Sequence, residues 1–399
     1  MVVFPPDFSV KRVFEKSMKT SICHPERSEG SPSLSRILRL FLSKFIVLAF
    51  TLPLGFGISA FAGGSREVVV YCALDQPYAE PIFKSFENET GIQIKPLYDS
   101  EAVKTAGMVN RLLAEQKRPQ CDVFWNNEKL RTVLLAKRGL LEKYEPAAWK
   151  ERNLPHDEKN SLWTEFSARA RVLVRSSRES RILTEVSFAA NGEVMDFISE
   201  IPWLTMPDLK GKIAIAYPLF GTTSTHFLDW LQERRHHGMD TEKWLQEVIA
   251  KKPVICQGNS DVVRRVATGQ ASFGFTDSDD VFSAQARGEL VAIFFPESTE
   301  RGRGTLIIPN TIALIHGALH REEAAAFIDF VLSEKTELAL AHGPSKQIPL
   351  GEIRDPAKRD SVPFLIGREP LLKVRRANEE EMVKTYEEDM ELLRKAFHR

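Results

Sequence analysis

The chain has 399 residues, 43% hydrophobic and 27% charged, with a formal net charge of +0. This is an ordinary globular composition, long enough for about two domains. Balanced charge offers no basic surface for nucleic acid, so no nucleic-acid partner is expected.

Residues 1–35 have no clear periodicity and hold the polar stretch SICHPERSEGSPS. Arg36, Arg39 and Lys44 then precede an apolar run from Phe45 to Phe61, and Ala60-Phe61-Ala62 fits a small-x-small cleavage pattern. Charge, core and cleavage site together read as a secretory signal peptide over 36–62, cut near Ala62. The rival is an uncleaved anchor, against which Pro53, Gly55 and Gly57 sit near the end of the core. No later run is long and apolar enough to span a bilayer, so a periplasmic or extracellular location is expected. Cys72, Cys121 and Cys256 follow the leader. They are odd in number and lack metal-ligand spacing, so buried free thiols are expected rather than a disulfide framework.

Glu67 to Tyr71 reads as a strand, and Tyr78, Ile82, Phe83 and Phe86 as a helical stripe ended by Thr90-Gly91. A strand over Ile92–Leu97, a helix over Ala102–Gln116, a strand over Cys121–Trp125 and a helix over Glu128–Arg138 follow. Such alternation implies a mainly parallel sheet. Lys143–Asn160 reads as an irregular connection, and Ala170–Arg175 as a strand leading into a second domain. There Ile213–Ala216, a helix from Ser224, Thr241–Ala250, Pro253–Cys256, Asp261–Thr268, Ala271–Phe275 and Val291–Phe295 repeat the alternation. Thr305–Ile308 and Ile312–Ile315, around Pro309-Asn310, return the chain toward the first domain. His320–Leu332 is an amphipathic helix, and Glu379–Phe397 carries the apolar stripe Met382, Tyr386, Met390, Leu393 and Phe397.

The stretch KGKIAIAYPLFGTTSTH, Lys210 to His226, combines a strand, a polar loop and a helix start. Free N–H groups and the positive dipole end of a helix start suit an anion, so Gly221, Thr222, Thr223 and Ser224 are candidate ligand-binding residues. The alternative is that Thr223 or Ser224 only caps the helix.

The order of segments resembles the extracellular solute-binding proteins of ABC importers, especially the ferric-iron-binding branch. The pieces that carry the resemblance are VVVYCALDQPYAEPIFKSFENETGIQI, RLLAEQKRPQCDVFWNNEKLRTVLLAKRGLL, GKIAIAYPLFGTTSTHF, GQASFGFTDSDD and GTLIIPNTIALIHGALHREEAAAFIDFVLS. The resemblance implies an α/β, two-lobed periplasmic-binding-protein-like fold. Each lobe is a mainly parallel sheet flanked by helices, and the ligand cleft lies between them. The expected lobes are 63–168 with 305–349, and 169–304, followed by a helical tail at 350–399. It also implies a monomer that delivers its solute to a membrane ABC permease and closes by hinge rotation near Ala168–Arg171 and Gly304–Thr311.

Ferric-binding relatives often place a His or similar ligand after the first strand, a Glu after the DVF strand and two adjacent Tyr after the GxxAxG strand. Here those regions hold Asp75; Trp125, Asn126, Asn127 and Glu128; and Asp277, Ser278, Asp279 and Asp280, with no tyrosine pair. Asp75, Glu128, Asp279 and Asp280 are the candidate metal ligands, since hard oxygen donors suit Fe(III), Ca(II) or Mg(II). Asp75, Glu128 and one of Asp279 and Asp280 can each be read instead as helix-start acids, and Trp125 as core. The expected solute is ferric iron with a synergistic anion. No resident cofactor is expected. The alternatives are an anionic organic solute, such as a phosphorylated sugar or an aminophosphonate, or an enzyme of the same fold. The enzyme class lacks G-x-S-x-G, a Walker loop and a suitably placed GxGxxG.

Overall fold

The computed structural model describes residues 66–98, 106–177, 204, 209–297, 302–368 and 373–397. The leader and the residues around its cleavage pattern lie outside them. The first strands are β1 (Glu67–Cys72), β2 (Gln93–Tyr98), β3 (Val123–Asn126), β4 (Leu141–Glu142) and β5 (Thr164–Ser176). With them run helices α1 (Gln76–Thr90), α2 (Ala106–Ala114), α3 (Lys129–Lys137) and α4 (Ala148–Arg152). Then come β6 (Ile213–Ala216), α5 (Gly221–His236), α6 (Thr241–Ala250), β7 (Val254–Cys256), α7 (Asn259–Ala267), β8 (Phe273–Asp277), α8 (Ser278–Ala286) and β9 (Val291–Phe294). The chain continues through β10 (Thr305–Ile315), α9 (Arg321–Val331), α10 (Glu334–His342), α11 (Pro356–Ser361), β11 (Val374–Arg375) and α12 (Glu379–Phe397).

The hydrogen-bonded strand order is β2-β1-β3-β10-β5-β8-β6-β7. It falls into two half-sheets. In the first, β1 pairs in parallel with β2 and β3, and in the second, β6 pairs in parallel with β7 and β8. The long antiparallel pair β5 and β10 runs through both. The end of β10 pairs with β3, Thr311 opposite Asn126, while the end of β5 pairs with β8, Arg171 opposite Asp277. The register of β10 against β5 shifts between Pro309 and Asn310. Opposite that shift, Ser167 adopts φ 36°, the conformation of a bulged residue. The buried carboxylate of Glu337, on α10, pins the bulge by accepting the Ser167 N–H at 2.5 Å.

Strand alternation builds a core on each face. In the first half Val68 and Val70 pack with Phe83, Phe86 and Phe327 of α1 and α9, while Tyr71 and Phe124 pack with Met108 and Leu112 of α2 and Val133 and Leu135 of α3. In the second half Ile213 and Ile215 meet Phe227, Trp230 and Trp244 of α5 and α6, and Ala214 and Ala216 meet Val262, Val266 and Val281 of α7 and α8. The apolar stripe of α12 docks here: Met382, Met390, Leu393 and Phe397 are buried against α5 and α6. Cys72, Cys121 and Cys256 are free and buried.

Several sequence expectations change. The connection expected to be irregular over Lys143–Asn160 holds the short helix α4. β10 is one strand rather than two, because Pro309 falls at the bulge, where its missing N–H costs no ladder bond. α5 begins at Gly221, three residues before the expected Ser224. β5 starts at Thr164 rather than Ala170, because its first half pairs with the returning β10.

Candidate functional site

A cavity enclosing about 490 Å³, counted out to its mouth, lies between the half-sheets. Its wall comes from Leu74 and Asp75 before α1, Asn127 before α3, Ala216, Tyr217, Phe220 and Gly221 to Thr223 before and in α5, Gln257 to Asn259 at α7, and Asp277, Asp279 and Asp280 at α8, with Arg169 from β5. Four of these helices, α1, α5, α7 and α8, put their starts at the cavity. None of the four has a side-chain cap: the N-cap residues are Asp75, Phe220, Gly258 and Asp277, and no cap hydrogen bond is made. Of the other helices, α3, α6, α10 and α11 are capped by Glu128, Asp240, Ser333 and Asp355, while α4 and α9 have no side-chain cap either. First-turn N–H groups have no intrahelical partner, so the uncapped starts of α5 and α7 give the cavity donors and positive dipole ends. By contrast Pro77 has no N–H to offer at α1, and the Asp280 N–H at α8 is taken by Asp279 Oδ1 at 3.2 Å. Gly221 is required there by conformation. Its φ is 55°, and a Cβ would meet no atom within 4 Å, so backbone shape rather than crowding selects it.

Of the sequence candidates, Asp75, Asn127, Gly221, Thr222, Thr223, Asp277, Asp279 and Asp280 line this cavity. Five others do not. Trp125 is wholly buried in the first half, with its ring 5.2 Å from that of Phe166. Asn126 donates to Thr132 Oγ1 at 3.0 Å. Ser278 accepts the Ala170 N–H at 3.0 Å. Ser224 accepts from Arg131 Nη2 at 3.2 Å, turned toward α3. Glu128, a proposed metal ligand, caps α3 through the Arg131 N–H, pairs with the Arg131 guanidinium at 3.3 Å and accepts from Thr225 Oγ1 at 3.0 Å. Its carboxylate is wholly buried in that seam and takes no part in the cavity wall.

Two buried arginines on β5, two residues apart and so on one face, were not singled out in the sequence. Arg171 Nη1 binds Asp277 Oδ1 at 2.7 Å, and its Nε donates to His226 Nδ1 at 3.1 Å. Thr222 Oγ1 donates to Asp277 Oδ2 at 2.6 Å and accepts from Asn259 Nδ2 at 2.9 Å. Thr223 Oγ1 donates to Asn259 Oδ1 at 3.1 Å. The hydroxyls at the start of α5 are therefore joined to Asp277 and Asn259. Arg169 Nε binds Asp279 Oδ2 at 2.9 Å. Burial works against the Arg169 charge, but Asp279 and Asp277 more than offset it and its pKa is raised. Burial also raises the Asp279 carboxyl, with Arg169 opposing and Asp277 adding to the rise.

Asp277, Asp279 and Asp280 each offer a carboxylate oxygen, all within 4.8 Å of one another. A nearby phenol comes from Tyr78 on α1, whose OH lies 2.5 Å from Ser283 Oγ on α8. Burial, then Asp279, pushes its pKa well above the usual phenol value, which holds it protonated.

Residues 158–342 match the family model of the bacterial extracellular solute-binding proteins. Iron uptake protein A1 of Synechocystis sp. is 23% identical over 334 residues, covering 76% of this chain and 84% of that protein. The fold is that of iron-bound HitA from Pseudomonas aeruginosa, with TM-score 0.66, 19% identity and coverage of 83% of this chain and 99% of that one. It is equally that of the periplasmic binding protein AfuA from Actinobacillus pleuropneumoniae with fructose-6-phosphate bound, with TM-score 0.65, 16% identity and coverage of 84% and 99%. Residues 158–342 thus carry the pattern of the bacterial extracellular solute-binding proteins, and the chain as a whole is similar to iron uptake protein A1 and shares the fold of periplasmic binding proteins.

Proposed function

We propose that this protein captures an organic solute bearing a phosphate or carboxylate and hands it to an ABC permease outside the cytoplasm. The anion sits on the uncapped starts of α5 and α7, and the solute's hydroxyls or amine face Asp75 and Asp280. The observation that carries this reading is the pairing of Asp277 with Arg171 at 2.7 Å and of Asp279 with Arg169 at 2.9 Å. Those pairings commit to buried guanidinium groups two of the four cavity carboxylates that a trivalent cation would need as ligands. Helix starts favour an anion instead, and AfuA, which shares the fold, has a structure with exogenous fructose-6-phosphate bound.

Ferric iron with a synergistic anion is the second reading. It is favoured by the Asp277, Asp279 and Asp280 cluster and by the relatives named for iron. Iron held there without tyrosinate ligands lacks strong visible charge-transfer colour. Native mass spectrometry of chain purified without chelator separates the two. A retained organic mass, unchanged after chelator, supports the first reading; a retained iron mass lost to chelator overturns it.

A further inference from the structure

We infer that Arg169 is the positioning residue that sets the separation of the two cleft walls. This rests on the reading of the cavity as the solute site. Arg169 is 2% exposed and lies on β5, where the chain passes from one half to the other. Each of its three donor nitrogens binds a different element. Nε donates to Asp279 Oδ2 at 2.9 Å, at the start of α8 in the second half. Nη1 donates to the main-chain carbonyl of Asn127, between β3 and α3 in the first half. Nη2 donates to Asn310 Oδ1 at 2.9 Å, on the returning strand β10. Asn310 is itself held, donating to Ser167 O at 2.6 Å and to Gln347 Oε1 at 2.9 Å beside the bulge.

A guanidinium is a planar fork with fixed donor directions. The three bonds can therefore be made together at only one spacing of the walls. Moving the halves apart strips Arg169 of Asn127 or of Asp279 and leaves a buried charge short of a partner, which is costly. The three bonds together therefore hold the walls at this spacing. Asn127 and Asp279 both face the cavity, so a solute touching them acts on the spacing that Arg169 fixes. Lysine in its place keeps the charge but offers a compact, undirected donor, and so does not define the spacing.

The test measures the spacing directly and uses no solute. Spin labels go on the exposed positions of Lys84→Cys, on α1, and Arg287→Cys, after α8. The full chain also carries Cys23→Ser, since Cys72, Cys121 and Cys256 are buried. Pulsed electron double resonance on the ligand-free chain is expected to give one narrow distance distribution. Arg169→Lys is expected to broaden it and move it to longer distance. Asp279→Asn, which leaves the arginine in place but removes its second-half charge, is expected to do the same and serves if Arg169→Lys does not fold. A variant that melts lower with the distance unchanged overturns the proposal, as does a parent distribution already as broad as the variants'. Failure of a solute assay leaves this result standing, because no solute enters it.

Discussion

At the scale of single residues, the site depends on side chains that satisfy one another. The Thr222 hydroxyl both holds Asp277 and receives Asn259. Thr222→Ala leaves a buried carboxylate short of a donor, and such losses cost about 1–3 kcal/mol. Urea unfolding of T222A should show that drop, together with weaker solute binding because Asp277 and Asn259 lose their common partner. Unchanged stability would mean that the hydroxyl is replaceable by water.

Glu379 is a second residue-scale case. Burial pushes its carboxyl up to about 7, with Lys129 opposing and Glu165 adding. A folded pKa above the unfolded one means that the native state holds the proton more tightly. The stabilisation from that proton is full below the ordinary carboxylate range and is lost as pH rises toward about 7. Glu379→Gln mimics the protonated form, so its melting temperature should match the parent near pH 4 and exceed it at pH 8. The full difference should be on the order of 3 kcal/mol. A gap that does not change with pH would contradict the assignment.

At the scale of elements, the alternation of strands and helices was legible because each follows a local period that burial imposes on it. The strand Ile213–Ala216, for example, sends alternate residues to opposite faces. Elements that depend on distant partners were not legible. The first half of β5 is a strand because β10 returns to it, and the single strand through Pro309 depends on a bulge in a neighbour far along the chain. The site divides in the same way. Helix starts such as Gly221 to Thr223 carry a local signature, and they do line the cavity. Arg169 and Arg171 carry none, because their aspartate partners lie 110 and 106 residues away. Glu128 misled because an acid at a helix start looks the same whether it caps or binds.

Close packing of α7 on β8 gives a prediction at this scale. A Cβ at Gly274 would meet Val262 Cγ1 at 2.3 Å and Val174 Cγ1 at 3.1 Å. Gly274→Ala should therefore destabilise the fold by about 1–3 kcal/mol. Denaturant unfolding checks this, with the slope expected to remain as in the parent.

At the scale of the whole molecule, the two halves are joined by more than their crossing strands. α12 packs its apolar stripe on α5 and α6 and reaches α3 through Lys129 and Glu379 at 3.4 Å. Beneath it, Arg131 of α3 donates to Leu219 O at 3.2 Å, across the seam. Ending the chain after Asn378 would uncover Phe227 and Trp244, so that truncated form should bind a hydrophobic dye and lose its cooperative melt.

The central claim is that the uncapped starts of α5 and α7 and two arginine-paired aspartates make a cleft for an organic anion. Titration calorimetry on chelator-treated protein tests it most directly. The injected solutes are sugar phosphates, an aminophosphonate, inorganic phosphate and ferric citrate. The account predicts saturable one-to-one binding of a phosphate- or carboxylate-bearing organic solute, unaffected by chelator and weakened by Thr222→Ala. Stoichiometric uptake of iron that chelator reverses, with no heat from any organic anion, would contradict it.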